Sequence, residues 1–186
     1  MKEKLYIVIR YGALDAQDAI EEIEKIITKK GHAWFGKYGQ PLSTKYEELV
    51  KKGEQDVFAV LIRKGRATEA ENYIFKSYRL KQIVRQLPAK ERDYPKYYAE
   101  RISQIGAWIE IEEYDGPKFV LDDLVTKSST QKLLKSLGTS MKAHFYCRLG
   151  GVVKREIKFA EDDIDSEYND DFVKADFQQF YDHSSE

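Results

Sequence analysis

The chain has 186 residues, 42% hydrophobic and 34% charged, with 13 tyrosines and 9 phenylalanines. That length supports one domain with a sizeable core, and the lack of any run of about eighteen apolar residues argues against a membrane-spanning helix. The formal net charge of −1 hides an asymmetry: residues 161–186 hold ten acidic residues and one basic residue, Lys174, which leaves 30 basic and 22 acidic residues, a net +8, in residues 1–160. A basic body suits a polyanionic partner. The acidic end reads as a solvated tail, or as a cover for basic surface when no partner is bound. Residues 1–160 are therefore expected to form a single domain and 161–186 an acidic C-terminal extension.

"KLYIVIRYG" has the β-branched and aromatic density of a strand and ends at Gly12. It lacks the long apolar region of a signal peptide. "LDAQDAIEEIEKIITKKG" predicts a helix, with Asp15 as N-cap, Asp18 in the first turn, and Ala19, Ile20, Ile23, Ile26 and Ile27 on one face. Lys29, Lys30 and then Gly31 suit its C-terminal end. "GHAWFGKYGQPLS" follows and reads as an aromatic loop among three glycines. Such rings either plug a core or stack on a planar ligand.

"TKYEELVKKGEQ" predicts a short helix closing at Gly53, and "DVFAVLIRKG" a central strand. "NYIFKSYRLKQIVRQ" reads as a strand with substantial alternation, with a helix as the alternative for its second half. "LPAKERDYPKYYAERIS" reads as a long polar connection broken by Pro88 and Pro95. "GAWIEIEEYDGP" alternates as a strand, and "TQKLLKSLG" is a short helix. "KAHFYCRLGG" and "VVKREIKFA" look like a terminal hairpin or two edge strands. "DFVKADFQQFYDH" reads as a helix that partly buries Phe172, Phe177, Phe180 and Tyr181. The order predicts a mixed α+β domain whose sheet curls into a small barrel flanked by helices.

The usual enzyme signatures are missing. The sequence has no phosphate-binding P-loop and no dinucleotide fingerprint. His32, His144 and His183 are far apart and out of metal-ligand spacing, so neither a metal nor another cofactor is expected. His144 and Cys147 would project to opposite faces of a strand, against a nucleophile–base pair. Cys147 is the only cysteine, which rules out an internal disulfide and fits a reducing, cytoplasmic setting. The pairs Asp122–Asp123 and Asp162–Asp163 read as surface acidity rather than metal ligands.

The remaining candidates are aromatic and basic. Trp34, Phe35, Tyr38 and Trp108 offer flat walls, with Ser43, Thr139 and Ser140 as polar partners. A base taken out of its stack needs such faces and edge-reading groups. Lys37, Lys45, Arg63, Lys64, Arg66, Arg79, Lys81 and Arg85 are candidate phosphate contacts. Gly36 and Gly39 would let backbone approach a ligand closely. Trp108 shares its strand face with Glu110 and Glu112, so it either binds a ligand or packs beneath another element.

"GAWIEIEEYDGPKFVLDDLVTKSSTQKLLKSLGTSMKAHFYCR" resembles the closing half of PUA-like domains of the EVE and YTH type. The order of elements over residues 5–150 fits the same pattern. The resemblance implies a small barrel that binds nucleic acid and holds a modified base in an aromatic cage, as in modification-dependent restriction and phage-defence systems and RNA-modification readers. Trp34 or Phe35 and Trp108 would then be cage walls, with Ser43, Thr139 and Ser140 as polar contacts. A free-standing reader of this kind implies an effector partner such as a nuclease, or action by masking its target. The competing readings are a nucleotide-binding or nucleotide-processing protein that uses the same pocket, and a protein-interaction module that acts through its acidic tail.

Overall fold

The computed structural model describes residues 4–12, 18–63 and 73–150. The expected strand over "VVKREIKFA", the C-terminal helix, the Asp162–Asp163 pair, Lys64 and Arg66 lie outside the described residues. No helix among the described residues is long and apolar enough to cross a membrane.

Strand β1 (Lys4–Tyr11) and strand β3 (Asp56–Arg63) run parallel at the centre of the sheet, with Leu5 opposite Val57 and Ile9 opposite Leu61. Both are apolar on both faces because both faces are covered, which is why their sequences read as continuous hydrophobic runs. Leu5, Ile7 and Ile9 join the main core, and Tyr6 and Val8 the core on the opposite side.

Helix α1 (Ala19–Lys30) buries Ala19 and Ile23 on the main core. Its N-cap is Asp18, not Asp15. The Asp18 carboxylate accepts the Ile20 N–H at 2.8 Å and the Tyr11 hydroxyl at 3.0 Å, so the cap is tied to the core strand and the helix starts there. Gly31, at φ 83°, ends the helix by donating its N–H to the Ile27 carbonyl at 2.7 Å.

The aromatic stretch that follows is a strand rather than a loop. Strand β2 (His32–Tyr38) pairs antiparallel with strand β5 (Ile105–Glu112) along its length. Its residues alternate: Ala33 and Phe35 join the main core, and Trp34 faces the other way. The glycines flank and fit this strand instead of loosening it. Helix α2 (Thr44–Lys52) starts after Ser43 and closes at Gly53 as expected.

The stretch read as a strand forms strand β4 (Phe75–Val84), extended through its second half, and it joins β3 to β5. The stretch read as a polar connection contains a 3-10 segment (Lys96–Gln104). A short 3-10 turn (Leu121–Asp123) leads into strand β6 (Leu124–Thr126), and helix α3 (Leu133–Thr139) into strand β7 (His144–Leu149). The sheet is mixed and seven-stranded, in the order β2-β5-β4-β3-β1-β7-β6. Helices α1 and α2 cover one face; α3, Leu121 and β6 cover the other face of β1 and β3. Among the described residues β2 and β6 are its two edges and do not pair with each other, so hydrogen bonding does not close the sheet. Register shifts between Lys37 and Tyr38 in β2 and between Leu80 and Gln82 in β4 bend these strands.

Candidate functional site

A third apolar cluster sits at the β2–β5 end of the sheet, on the face that α1 and α2 leave uncovered. In the β2–β5 register Trp34 lies opposite Glu110 and Gly36 opposite Trp108, which sets the two tryptophans diagonally on one face. Trp34, Tyr98, Ile105 and Trp108 are buried together, with Tyr38, Tyr94 and Tyr97 packed against them in part. Each tryptophan is only 1% exposed.

The residues between Leu87 and Gln104 lay three tyrosines onto the cluster. Tyr98 meets Trp108 edge-on at 5.4 Å between ring centroids, and Tyr94 lies 5.3 Å from Trp108 at 53°. Tyr98 also contacts Tyr97 at 4.6 Å and Tyr38 at 5.7 Å. Burial pushes the Tyr98 phenol well above its ordinary pKa and the Tyr97 phenol up to about 12, so both stay neutral.

Gly36 serves this packing. A Cβ there would stand 2.7 Å from Ile105 Cδ1, 3.1 Å from Tyr98 and 3.2 Å from Trp108. The space above Gly36 is thus filled by the protein's own rings, not left for a ligand. Gly106 meets a second close approach, since a Cβ there would fall 1.8 Å from the Gly39 carbonyl oxygen.

The segment is tied to the open edge of β2. The Trp34 N–H donates to the Asp93 carbonyl at 2.8 Å and the Gly39 N–H to the Gln104 carbonyl at 3.1 Å. Beside the first of these bonds, His32, Glu91 and Asp93 bring one ligand-type atom each to within 4.8 Å of one another, all half-buried. The Glu91 carboxyl is held below the usual carboxylate range, chiefly by the Asp93 N–H, with smaller effects from the Arg92 N–H, the Trp34 indole N–H and His32.

The structure thus brings Trp34, Trp108 and Tyr38 together. Phe35 is apart from them on the main-core face, edge-on to Tyr11 at 6.5 Å, although its ring also approaches Tyr98 at 6.3 Å. Ser43 stands before α2 and accepts no part in the cluster; its N–H donates to the Tyr146 hydroxyl at 3.1 Å. Thr139 and Ser140 end α3. The Thr139 hydroxyl donates to the Lys135 carbonyl, and the Ser140 carbonyl accepts from the Arg10 guanidinium at 2.7 Å.

The basic candidates are spread out. Lys37 is only 4% exposed, and its amine donates to the Tyr38 and Gln40 carbonyls. Burial pulls its pKa down to about 8. Arg63 pairs with Asp18 at 3.4 Å, and Arg79 with Asp115 at 2.6 Å and Asp56 at 3.6 Å. Lys81 pairs with Glu112 at 3.4 Å and Arg85 with Glu47 at 3.7 Å, while Lys45 is exposed on α2. The more exposed of these pairs, Arg79 with Asp115 and Asp56 and Lys81 with Glu112, are worth about 0–1 kcal/mol each and exchange readily. Lys90 and Lys96 are exposed on the same segment as the three tyrosines.

His144 and Cys147 do lie on opposite faces of β7, and burial pushes the Cys147 thiol up to about 12. Asp122 pairs with Lys132 at 2.6 Å, and Asp123 accepts the Val120 N–H at 2.9 Å. The sequence reading missed Tyr94, Tyr97 and Tyr98. Three tyrosines within "YPKYY" were the available signal. Comparisons with protein-family models, with curated proteins and with solved structures found no match.

Proposed function

We propose that the chain is a non-catalytic nucleic-acid reader with a PUA-like core, and that its base-stacking surface is the tryptophan nest at the β2–β5 end. The observation that carries this reading is the convergence of Trp34 and Trp108 on one face of adjoining strands, beneath the buried Tyr98 and the partly buried Tyr94 and Tyr97. In this reading Tyr94 stands on Trp108 where a flipped or modified base would stack. Tyr94 is tilted 53° to Trp108, so a base stacked flat in its place would gain ring contact and offset the loss of Tyr94, at less cost than opening a bare cavity.

Electrostatics support a polymer over a single nucleotide. Residues 1–160 carry a net +8 by sequence, and Lys90 and Lys96 are exposed on the segment that covers the nest. Arg79 and Lys81 pair with carboxylates that are about a third or more exposed, which phosphates can replace, whereas Arg63 and Arg85 pair with the mostly buried Asp18 and Glu47. The reader acts through an effector partner such as a nuclease, or by masking its target. The buried, unreactive Cys147 suits a reducing, cytoplasmic setting.

The test measures affinity for modified and unmodified oligonucleotides, single- and double-stranded, in the parent protein and in Tyr94→Ala. Tyr94 is half-buried, so its truncation leaves the sheet intact. The reading predicts that Tyr94→Ala changes affinity for an oligonucleotide with an extrudable base several-fold while leaving salt sensitivity unchanged. Failure of the folded parent to bind any polymer at low salt overturns it.

A further inference from the structure

We propose that His32, Glu91 and Asp93 form a binding site for a divalent first-row transition cation, zinc foremost. The site does not depend on the nucleic-acid reading. One imidazole and two carboxylates make a mixed nitrogen–oxygen donor set, which suits zinc better than the all-oxygen sets of magnesium or calcium.

The spacing fits. His32 Nε2 and Asp93 Oδ2 are 3.5 Å apart. Tetrahedral zinc with bonds of about 2.0–2.2 Å sets its ligand atoms about 3.4 Å apart. One ligand-type atom from each residue lies within 4.8 Å of the other two, so the third ligand closes by a side-chain adjustment. Lys30 reaches Asp93 Oδ1 at 3.8 Å from an exposed position and is readily displaced.

Glu91 is also held as metal-ligating carboxylates usually are. Glu91 Oε1 accepts the Arg92 N–H at 2.9 Å and the Asp93 N–H at 3.0 Å, which fixes the carboxylate plane. The indole N–H of Trp34, on a ring 1% exposed, acts on the Glu91 carboxylate and helps to hold it below the usual carboxylate range, short of full hydrogen-bonding geometry. An outer N–H aimed at a carboxylate that binds a cation is a common supporting contact, and a small shift of Glu91 on binding would satisfy it.

A cation here joins the start of β2 to the segment that carries Tyr94, Tyr97 and Tyr98. It would therefore pin that segment over the tryptophans. The experiment titrates tag-free full-length protein with Co2+, followed by visible d–d absorption, and with Zn2+ by calorimetry. One equivalent is expected, with Zn2+ displacing Co2+ and raising the midpoint of thermal unfolding. His32→Ala and Asp93→Asn, both at half-exposed positions, should each weaken uptake at least about tenfold. Trp34→Phe keeps a ring but removes the indole N–H, and should weaken it about tenfold. If Trp34→Phe does not fold, the other two variants decide. Absence of uptake at millimolar metal, or uptake unchanged in His32→Ala and Asp93→Asn, overturns the site.

Discussion

A methyl group on Gly36 would press against Ile105, Tyr98 and Trp108 at 2.7–3.2 Å. All three contacts are side-chain atoms of the same nest, so Gly36→Ala reports on that packing alone. It should lower stability by about 1–3 kcal/mol, read as a fall in the urea midpoint. Lys37, the next residue, behaves differently because it titrates. Its folded pKa is lowered to about 8 from an ordinary 10.5. Between these values the unfolded chain binds more protons than the folded one, so this residue's contribution to stability rises with pH across the window. Relative to Lys37→Met, the parent should gain stability from pH 8 to about 10.5, measured by urea unfolding of both proteins at each pH. A flat difference would mean that Lys37 is not buried.

At the scale of elements, the hydrophobic period set what was legible. The runs of β1 and β3, the alternation of β5 and the five-residue apolar face of α1 each announce their element. Two misreadings have physical causes. Gly31, Gly36 and Gly39 made β2 look like a loop, yet the first ends a helix, the second clears space for rings and the third turns the chain at φ 74°. Charged residues made "LPAKERDYPKYYAERIS" look like a plain connection, while its tyrosines cover both tryptophans. The convergence of Trp34 and Trp108 depends on register, which no local pattern encodes. The same holds for His32 meeting Glu91 and Asp93 across the β2 edge. The position of the α1 cap is testable at this scale. Asp18→Ala should cost about 1–2 kcal/mol, because it removes both the Ile20 N–H bond and the Tyr11 bond. Thermal unfolding of that variant measures it.

At the scale of the whole molecule, a mixed sheet carries α1 and α2 on one face and α3 on the other, and the β2–β5 end of that second face is covered by an irregular segment. That segment is held by a few backbone bonds, an aromatic cluster and the approach of His32 Nε2 to Asp93 Oδ2 at 3.5 Å. By composition residues 1–160 carry the basic excess and residues 161–186 the acidic one. The α+β class follows directly from the sequence, whereas which rings share a site follows only from the fold. The most direct measurement is intrinsic tryptophan fluorescence during titration with a modified-base oligonucleotide at roughly 50 and 200 mM salt. The account predicts saturable quenching, as a base stacks on Trp108, with affinity falling at least about tenfold at the higher salt. Binding without any change in tryptophan emission, or no binding at the lower salt, would contradict it.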